Sequence, residues 1–198
     1  MEIKKLIFNS DVWGVANKAV SLKAKRIDAR NTVVEYSNGN GENFKFVLME
    51  ENLFIFNQKL KELDFNKWKD SYNELVLDGE EWNIMIEYSN KSKKEIVGRN
   101  GYPQGWNCLL ALIEWIKGIG KSLPELTYEE AKQKALSINP KVNFCREYTE
   151  AYHFFDLGGE LRTPDNDIVV IKKTGKTFNF ATFVIEFNPE HNAKTIKF

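Results

Sequence analysis

Apolar side chains occupy every second position from Trp82 to Tyr88, and two of the three positions between them are polar, which makes this the clearest alternation in the sequence. These alternating apolar side chains are Trp82, Ile84, Ile86 and Tyr88. Successive side chains of a β-strand point to opposite faces of a sheet, so the alternation predicts a strand with one buried face. A sheet with one apolar face needs a second layer to cover it, and the rest of the chain must supply that layer.

The sequence around this strand also predicts a sheet. Its strand-like segments are residues 2–8, 19–27, 32–36, 44–49 and 95–98. A run of Ser, Asn and Gly at 37–41 is a strong turn signal between two of these segments. Because short turns join antiparallel neighbours, the segments predict an antiparallel meander.

Two segments of the same part have the spacing of an amphipathic helix. The first carries one apolar stripe, formed by Leu53, Phe56, Leu60 and Leu63. Trp68 and Tyr72 continue this spacing, which favours a short second helix. The other main helix is expected to start near Trp106. Gly118 and Gly120 are expected to end it, because glycine is common just beyond a helix C-terminus.

Residues 118–124 are the expected linker between two modules, 1–120 and 125–198. The second module opens with Thr127 and Glu130 at the spacing of a capping box, which predicts the start of a helix. Four strand-like segments follow, at residues 142–148, 151–155, 168–172 and 180–187. The order predicts the α+β class: an antiparallel sheet with two packed helices, followed by a smaller helix-plus-antiparallel-sheet module.

The charges of the chain are balanced, with 28 basic and 28 acidic residues. Binding to nucleic acid draws on a basic excess that neutralises phosphates, so the balance argues against a nucleic-acid partner. No window approaches the length of a membrane span, and the first residues lack the apolar stretch of a signal peptide. We therefore expect a cytoplasmic protein with no membrane partner. The sequence does not fix its oligomeric state.

Metal and cofactor chemistry lacks its usual motifs in this sequence. A structural zinc site takes about four nitrogen or sulfur ligands. The chain offers only four scattered residues of that kind, Cys108, Cys145, His153 and His191. The Gly-Lys-Thr letters at 175–177 lack the upstream glycine of a phosphate-binding loop and are expected to form a turn. We therefore expect no metal and no cofactor. We also expect two buried free thiols, with a disulfide between them as the open alternative.

The densest set of titratable side chains lies in the second module. Glu147, Tyr152 and His153 are weak candidates for an acid–base set, since a carboxylate beside a histidine can transfer protons. A strand surface with solvated charges is the alternative interpretation. A nucleophilic pair of Cys145 with His153 is disfavoured, because a reactive thiol needs partial exposure and a lowered pKa.

A polar and aromatic corner lies between the predicted strands and the helix that starts near Trp106. Its candidate ligand-binding residues are Arg99, Asn100, Tyr102 and Trp106. Aromatic rings and the free N–H groups at the start of a helix can hold a planar or anionic ligand. The alternative is a purely structural corner, because a strand-to-helix connection needs glycine and proline in any case.

The pattern DGxxWxIxIxY…GxNxYPxxW runs from Asp78 to Tyr88 and from Gly98 to Trp106. It resembles a motif of uncharacterised bacterial proteins of Firmicutes type. The resemblance extends over residues 1–120. The second module, through residues 147–152 and 168–176, is weakly similar to cystatin-like and immunity-protein modules. The first resemblance implies no known activity, and neither implies a role for any particular residue.

Three functional hypotheses follow. The first is a binding or interaction protein, in the form of an immunity-type partner of another bacterial protein, because no catalytic motif is present and abundant aromatic residues suit interfaces. The second is a small-ligand-binding domain at residues 98–106. The third is an enzyme of unrecognised type that uses Glu147, Tyr152 and His153 as an acid–base set.

Overall fold

The structure is a computed structural model of the 198-residue chain. It describes residues 2–12, 15, 18–75, 79–158, 166–189 and 193–198. The chain divides into two compact units, unit 1 from residue 1 to Ser122 and unit 2 from Leu123 to Phe198. Both units combine helices with a mainly antiparallel sheet, which confirms the predicted α+β class.

Unit 1 contains seven strands and two α-helices among its described residues. They are β1 Ile3–Val12, β2 Val20–Asp28, β3 Asn31–Asn38, β4 Asn43–Leu48, α1 Glu50–Leu63, β5 Ser71–Asn73, β6 Glu80–Tyr88, β7 Lys93–Arg99 and α2 Trp106–Ser122. The strands form one sheet in the order β4-β3-β2-β1-β6-β7-β5. Neighbours are antiparallel except at the edge, where β5 runs parallel to β7.

Both helices of unit 1 pack on the same face of this sheet. The buried side chains of the strands on this face include Leu6, Phe8, Leu22, Phe46, Ile84 and Ile86. Helix α1 adds its predicted stripe, and α2 adds Leu109, Leu112, Ile113 and Ile116. Burial of each such side chain contributes about 1.5–3 kcal/mol, so this two-layer core supplies the main driving force for folding of the unit.

Two helix predictions in unit 1 are wrong. Trp68 is extended after a single 3-10 turn at Phe65–Lys67, and Tyr72 lies in β5, so the short second helix does not form. Helix α2 continues through both glycines to Ser122. Gly120 lies against the ring of Phe44, where a Cβ atom would overlap it, so this glycine permits close packing of the helix on the sheet and does not end it.

Unit 2 is a sheet with one helix on each face. Its elements are α3 Tyr128–Ile138, β8 Phe144–Glu147, β9 Ala151–Phe155, β10 Ile168–Ile171, β11 Thr177–Phe178, α4 Phe180–Phe187 and β12 Lys194–Lys197. The strand order is β11-β10-β9-β8-β12, with antiparallel neighbours. The predicted capping box is present, because Thr127 Oγ1 accepts the N–H of Glu130 and a Glu130 carboxylate oxygen accepts the N–H of Thr127.

The predicted strand over residues 180–187 is wrong, because this segment is helix α4. Asn179 caps the helix, with its Oδ1 accepting the N–H of Thr182 at 2.8 Å. Phe183 and Phe187, four residues apart, are buried on one side of the helix. The β-branched residues of the segment favour a strand, but the cap and the helical spacing of the phenylalanines prevail.

Gly98 and Gly118 predict opposite effects of adding one methyl group. The indole of Trp82 lies across Gly98, so Gly98→Ala overpacks the sheet and is expected to lower the free energy of unfolding by about 1–3 kcal/mol. Gly118 in α2 has open space around it, so Gly118→Ala is expected to raise this free energy by about 0.5–1 kcal/mol. Equilibrium urea unfolding of both variants measures the difference, and equal shifts would contradict this packing.

Candidate functional site

The face of the unit 1 sheet opposite α1 and α2 contains a concave region at β1, β6, β7 and β5, which we call the sheet recess. Its volume is about 480 Å³. Six exposed polar side chains line it: Asn9, Asp11, Asn73, Glu81, Asn83 and Arg99. The five on β1, β6 and β7 point outward because each is one residue out of phase with the buried side chains of its own strand.

A ladder of hydrogen bonds crosses the recess floor. Ser21 donates through Oγ to Asn9 Oδ1 at 2.8 Å, and Asn9 donates through Nδ2 to Asn83 Oδ1 at 3.0 Å. These residues stand directly opposite one another on β2, β1 and β6. The ladder holds the two amides in fixed orientations, so they present ordered donor and acceptor groups at the surface.

Two carboxylates face each other beside this ladder. Asp11 on β1 is paired in register with Glu81 on β6, and Glu81 is paired in turn with Arg99 on β7. The Arg99 Nε atom lies 3.6 Å from Glu81 Oε1. Like charges directly opposite each other on a sheet are destabilising, and the single guanidinium balances only one of the two carboxylates. The recess therefore carries a net negative charge.

Two further carboxylates lie at the same end of the sheet, outside the lining of the recess. Tyr102 donates its hydroxyl hydrogen to Glu80 Oε2 at 3.0 Å. Burial, followed by this hydrogen bond and the charges of Glu80 and Glu74, raises the pKa of Tyr102 to about 12. Glu74 is held close by its backbone, because its N–H donates to the carbonyl of Arg99 at 2.9 Å. Glu80 alternates with Glu81 on β6 and therefore lies on the same side of the sheet as Trp82, opposite the recess.

The predicted ligand-binding residues separate into two groups. Arg99 lines the recess, whereas Asn100 holds the corner together. Asn100 has a left-handed backbone with φ of 55°, and its Oδ1 accepts the N–H of Glu80 at 2.9 Å. Gly79 lies under this side chain, and a Cβ atom there would overlap it. The side-chain amide of Asn100 therefore has a mainly structural role.

Tyr102 and Trp106 belong to an aromatic cluster between the sheet and α2. The Trp106 ring lies 4.5 Å from that of Trp82 and 4.9 Å from that of Tyr102. Trp82 also donates its indole N–H to the carbonyl of Gly101 at 3.1 Å. These contacts favour the structural interpretation of the corner, and of the four predicted residues only Arg99 lines the recess.

The predicted acid–base residues of unit 2 lie on two faces of its sheet. Tyr152 belongs to the core cluster under α3, and the neighbouring His153 points to the other face, against Phe180 of α4. Glu147 stays with Tyr152 and accepts a hydrogen bond from Lys172 Nζ at 2.8 Å. That bond is the main cause of the lowered pKa of Glu147. The three side chains therefore do not converge on one cleft.

His153 forms a buried pair that the sequence does not reveal. Its Nε2 lies 2.8 Å from Asp167 Oδ2, and both side chains are almost fully buried. The ring of Phe180 stacks on the imidazole, with 4.0 Å between the ring centroids and an angle of 7° between the ring planes. No spacing motif links His153 to Asp167, since β9 and β10 bring them together. Because the pair lies inside the core, we assign it a structural role.

The cysteines do not form a reactive site with His153. Cys145 is buried in the core cluster under α3, on the face of the sheet opposite the His153 side chain, and burial is the main cause that raises its pKa to about 12. Cys108 is exposed on α2, which corrects the expectation of two buried thiols. Within the described ranges, no group of three or more His, Cys, Asp or Glu residues could hold a metal ion. His191 and Asp78 lie outside the described residues.

The buried His153–Asp167 pair predicts that a nearly isosteric substitution of Asp167 lowers the stability of the protein. Asp167→Asn removes a charged acceptor from the buried imidazole and is expected to lower the free energy of unfolding by about 2 kcal/mol. Asp70 is the control, because its side chain is exposed and lies 3.9 Å from Lys94, so Asp70→Asn is expected to cost under about 0.5 kcal/mol. Urea unfolding measures both variants, and similar losses would contradict the assignment.

The two thiols are expected to differ sharply in reactivity. At about pH 8 a chromogenic disulfide reagent should modify Cys108 quickly, whereas buried Cys145, with its raised pKa, should react only after unfolding. The Cys108→Ala variant should lose the fast phase and keep the slow one. A fast phase that persists in this variant would show that Cys145 is accessible in the native protein.

None of the described helices is both long enough and apolar enough to cross a lipid bilayer. No protein-family model matches the chain. No curated protein and no solved structure matches it either. The resemblance of residues 1–120 to uncharacterised Firmicutes-type proteins, and the weak similarity of the second module to immunity proteins, therefore stay predictions.

Proposed function

We propose that this chain is a binding protein that holds a positively charged surface of a partner protein in the sheet recess. The observation that carries the proposal is the opposed pair of exposed carboxylates, Asp11 and Glu81, in a concave region of a sheet face. Opposed like charges on neighbouring strands cost about 0.2–1 kcal/mol. A Lys or Arg side chain of a partner, placed between the two carboxylates, would relieve that repulsion.

A cationic side chain would also form charge-assisted hydrogen bonds in the recess. Such bonds are about twice as strong as neutral ones, and charge complementarity speeds encounter and discriminates among partners. The charge of the region therefore selects a basic partner.

The remaining groups of the recess suit a protein surface. The ordered amides of Asn9 and Asn83 can donate to and accept from a polypeptide backbone. Because the ladder already fixes them, binding would immobilise few additional side chains. Met85 and Val97, on the same sheet face, are each 41% exposed and offer apolar contact beside the polar groups. This mixture of polar and apolar groups is typical of protein–protein interfaces.

The shape of the recess favours a protein over a small molecule. Sites for small molecules enclose most of the ligand surface, commonly about 70–90% of it. The six polar side chains of the recess are exposed, so the region is a shallow depression along the sheet. A protruding loop or helix of a partner protein fits such a depression better than an isolated metabolite.

The weak similarity of the second module to immunity proteins extends this proposal. In an immunity-type role, the chain would bind another bacterial protein and block its activity. The exposed negative recess would then cover a basic functional surface of that protein. Co-expression with the product of the neighbouring gene tests this extension. Protection of the cells would support it, and a lack of both protection and a complex would contradict it.

The recess predicts a specific loss of partner binding. Asn83→Arg breaks the ladder and adds a positive charge, so it is expected to weaken binding of the host protein that the wild-type chain captures by at least about tenfold, or ~1.4 kcal/mol. Gln58→Arg is the matched control, since it makes the same type of charge change on an exposed position of α1, on the covered side of the sheet. Surface plasmon resonance at low and high salt measures both variants.

The same measurement separates the proposal from its alternatives. Binding should weaken as salt rises, because salt screens exposed charges. Equal affinity of the Asn83→Arg and Gln58→Arg variants would place the interface elsewhere. A chain that is monomeric and captures no protein from its native host would contradict the proposed function itself.

A further inference from the structure

A second concave region of unit 1 lies between α1 and the ends of β1 and β2, and we call it the helix crevice. Ile3, Arg26, Asn57, Leu60 and Lys61 line its volume of about 390 Å³. A neighbouring narrow cavity of about 10 Å³, which we call the extension, shares Ile3, Arg26, Asn57 and Leu60 with the lining of the crevice and reaches the buried side chains of Leu6 and Phe56. Volumes of about 300–1,000 Å³ are typical of small-molecule sites.

Arg26 is the unusual residue of this crevice. It continues the inward-facing series of β2 after Leu22 and Ala24, so it points to the face of the sheet that the helices cover. Its side chain is only 18% exposed. An apolar residue at this position would avoid the desolvation of a charge. Departures of this kind from the strand pattern are concentrated at functional sites.

The guanidinium of Arg26 has two partners of different character. Its Nη2 donates to Asn57 Oδ1 at 3.2 Å, which fixes it against α1. Its Nη1 forms an ion pair with the carboxylate of Glu2, whose side chain is 60% exposed. Partly exposed ion pairs contribute little, about 0–1 kcal/mol, so solvent or a competing anion can displace Glu2 at low cost.

The charge around the crevice favours an anion. Arg26 and Lys61 line the main volume, and Lys4 lines the extension. Glu2 is the acidic side chain among the lining residues, so the described lining retains a positive charge even with Glu2 in place. Ile3 and Leu60 supply apolar surface next to these cations. A ligand for this site therefore combines a negative head with an apolar body.

We propose that the helix crevice binds a small carboxylate with an apolar body. The carboxylate head replaces that of Glu2 on the Arg26 guanidinium, whose planar fork matches the two oxygens of a carboxylate. The amide of Asn57 and the ammonium of Lys61 contact the same head. The apolar body lies along Ile3 and Leu60 toward the extension. This inference is independent of the sheet recess.

Octanoate tests the inference, with octanamide as its neutral counterpart of the same length. Both compounds are titrated into the full chain, and amide chemical shifts in NMR spectra report binding and its location. Octanoate should perturb residues of the helix crevice and bind at least about tenfold more tightly than octanamide, since the head carries most of the recognition. Equal binding of the two compounds, or no binding of octanoate, would overturn the proposal.

Two substitutions distinguish a ligand site from a structural ion pair. Glu2→Gln removes the competing carboxylate and is expected to tighten octanoate binding about threefold, whereas a purely structural pair would leave binding unchanged or weakened. Arg26→Gln should abolish binding while circular dichroism remains native. Glu95→Gln, an exposed change on β7, is the control and should leave the affinity unchanged.

The Glu2→Gln variant tests the proposed ligand site even if Arg26→Gln impairs folding. Unchanged or weaker octanoate binding by the Glu2→Gln variant would overturn the displacement of Glu2. A tightening equal to that of Glu95→Gln would show that the crevice responds only to overall charge, which would also overturn it.

Discussion

The packing of Trp82 across Gly98 determines much of the architecture of unit 1. The indole fills the space that a side chain at Gly98 would occupy, donates a hydrogen bond to the carbonyl of Gly101 and lies against the tilted ring of Trp106 in α2. These contacts tie the sheet to its helical layer and set the register of β6. Because strand side chains alternate, the inward position of Trp82 forces Glu81 and Asn83 outward. The sheet recess is therefore a consequence of how the core packs.

Core packing alone does not explain which residues occupy the outward positions. Asp11 and Glu81 stand opposite each other, although a neutral or oppositely charged pair at this register would be more stable. The neighbouring Asn9 and Asn83 form an ordered ladder, which shows that the same face can satisfy its own polar groups. The unfavourable interaction on this face is thus confined to the carboxylates of Asp11 and Glu81. Natural sequences keep such local conflicts mainly where binding or catalysis uses them.

Local patterns predicted the elements of the fold that depend on neighbouring residues. Alternation revealed β6, and the capping box revealed the start of α3, because both signals lie within a few residues. The prediction of a strand over residues 180–187 was wrong because it gave more weight to the β-branched residues than to the Asn179 cap and the spacing of the phenylalanines. These two helix signals are equally local. The site depends on a different kind of information. The pairing of Asp11 with Glu81 and the contact of His153 with Asp167 both join segments that are distant in sequence, which no local pattern reveals.

The two concave regions of unit 1 arise from the same alternation and carry opposite charge. On the outer face, regular alternation presents polar groups to solvent, and their identities make the recess negative. On the covered face, Arg26 departs from the apolar pattern of β2 and brings a cation beneath α1, where Asn57 and Glu2 compensate it. A charge on the covered face costs desolvation, whereas a charge on the outer face costs little. Arg26 is therefore the stronger departure from what folding alone requires, and Glu2, as its exposed counter-ion, is the group that an incoming carboxylate would replace.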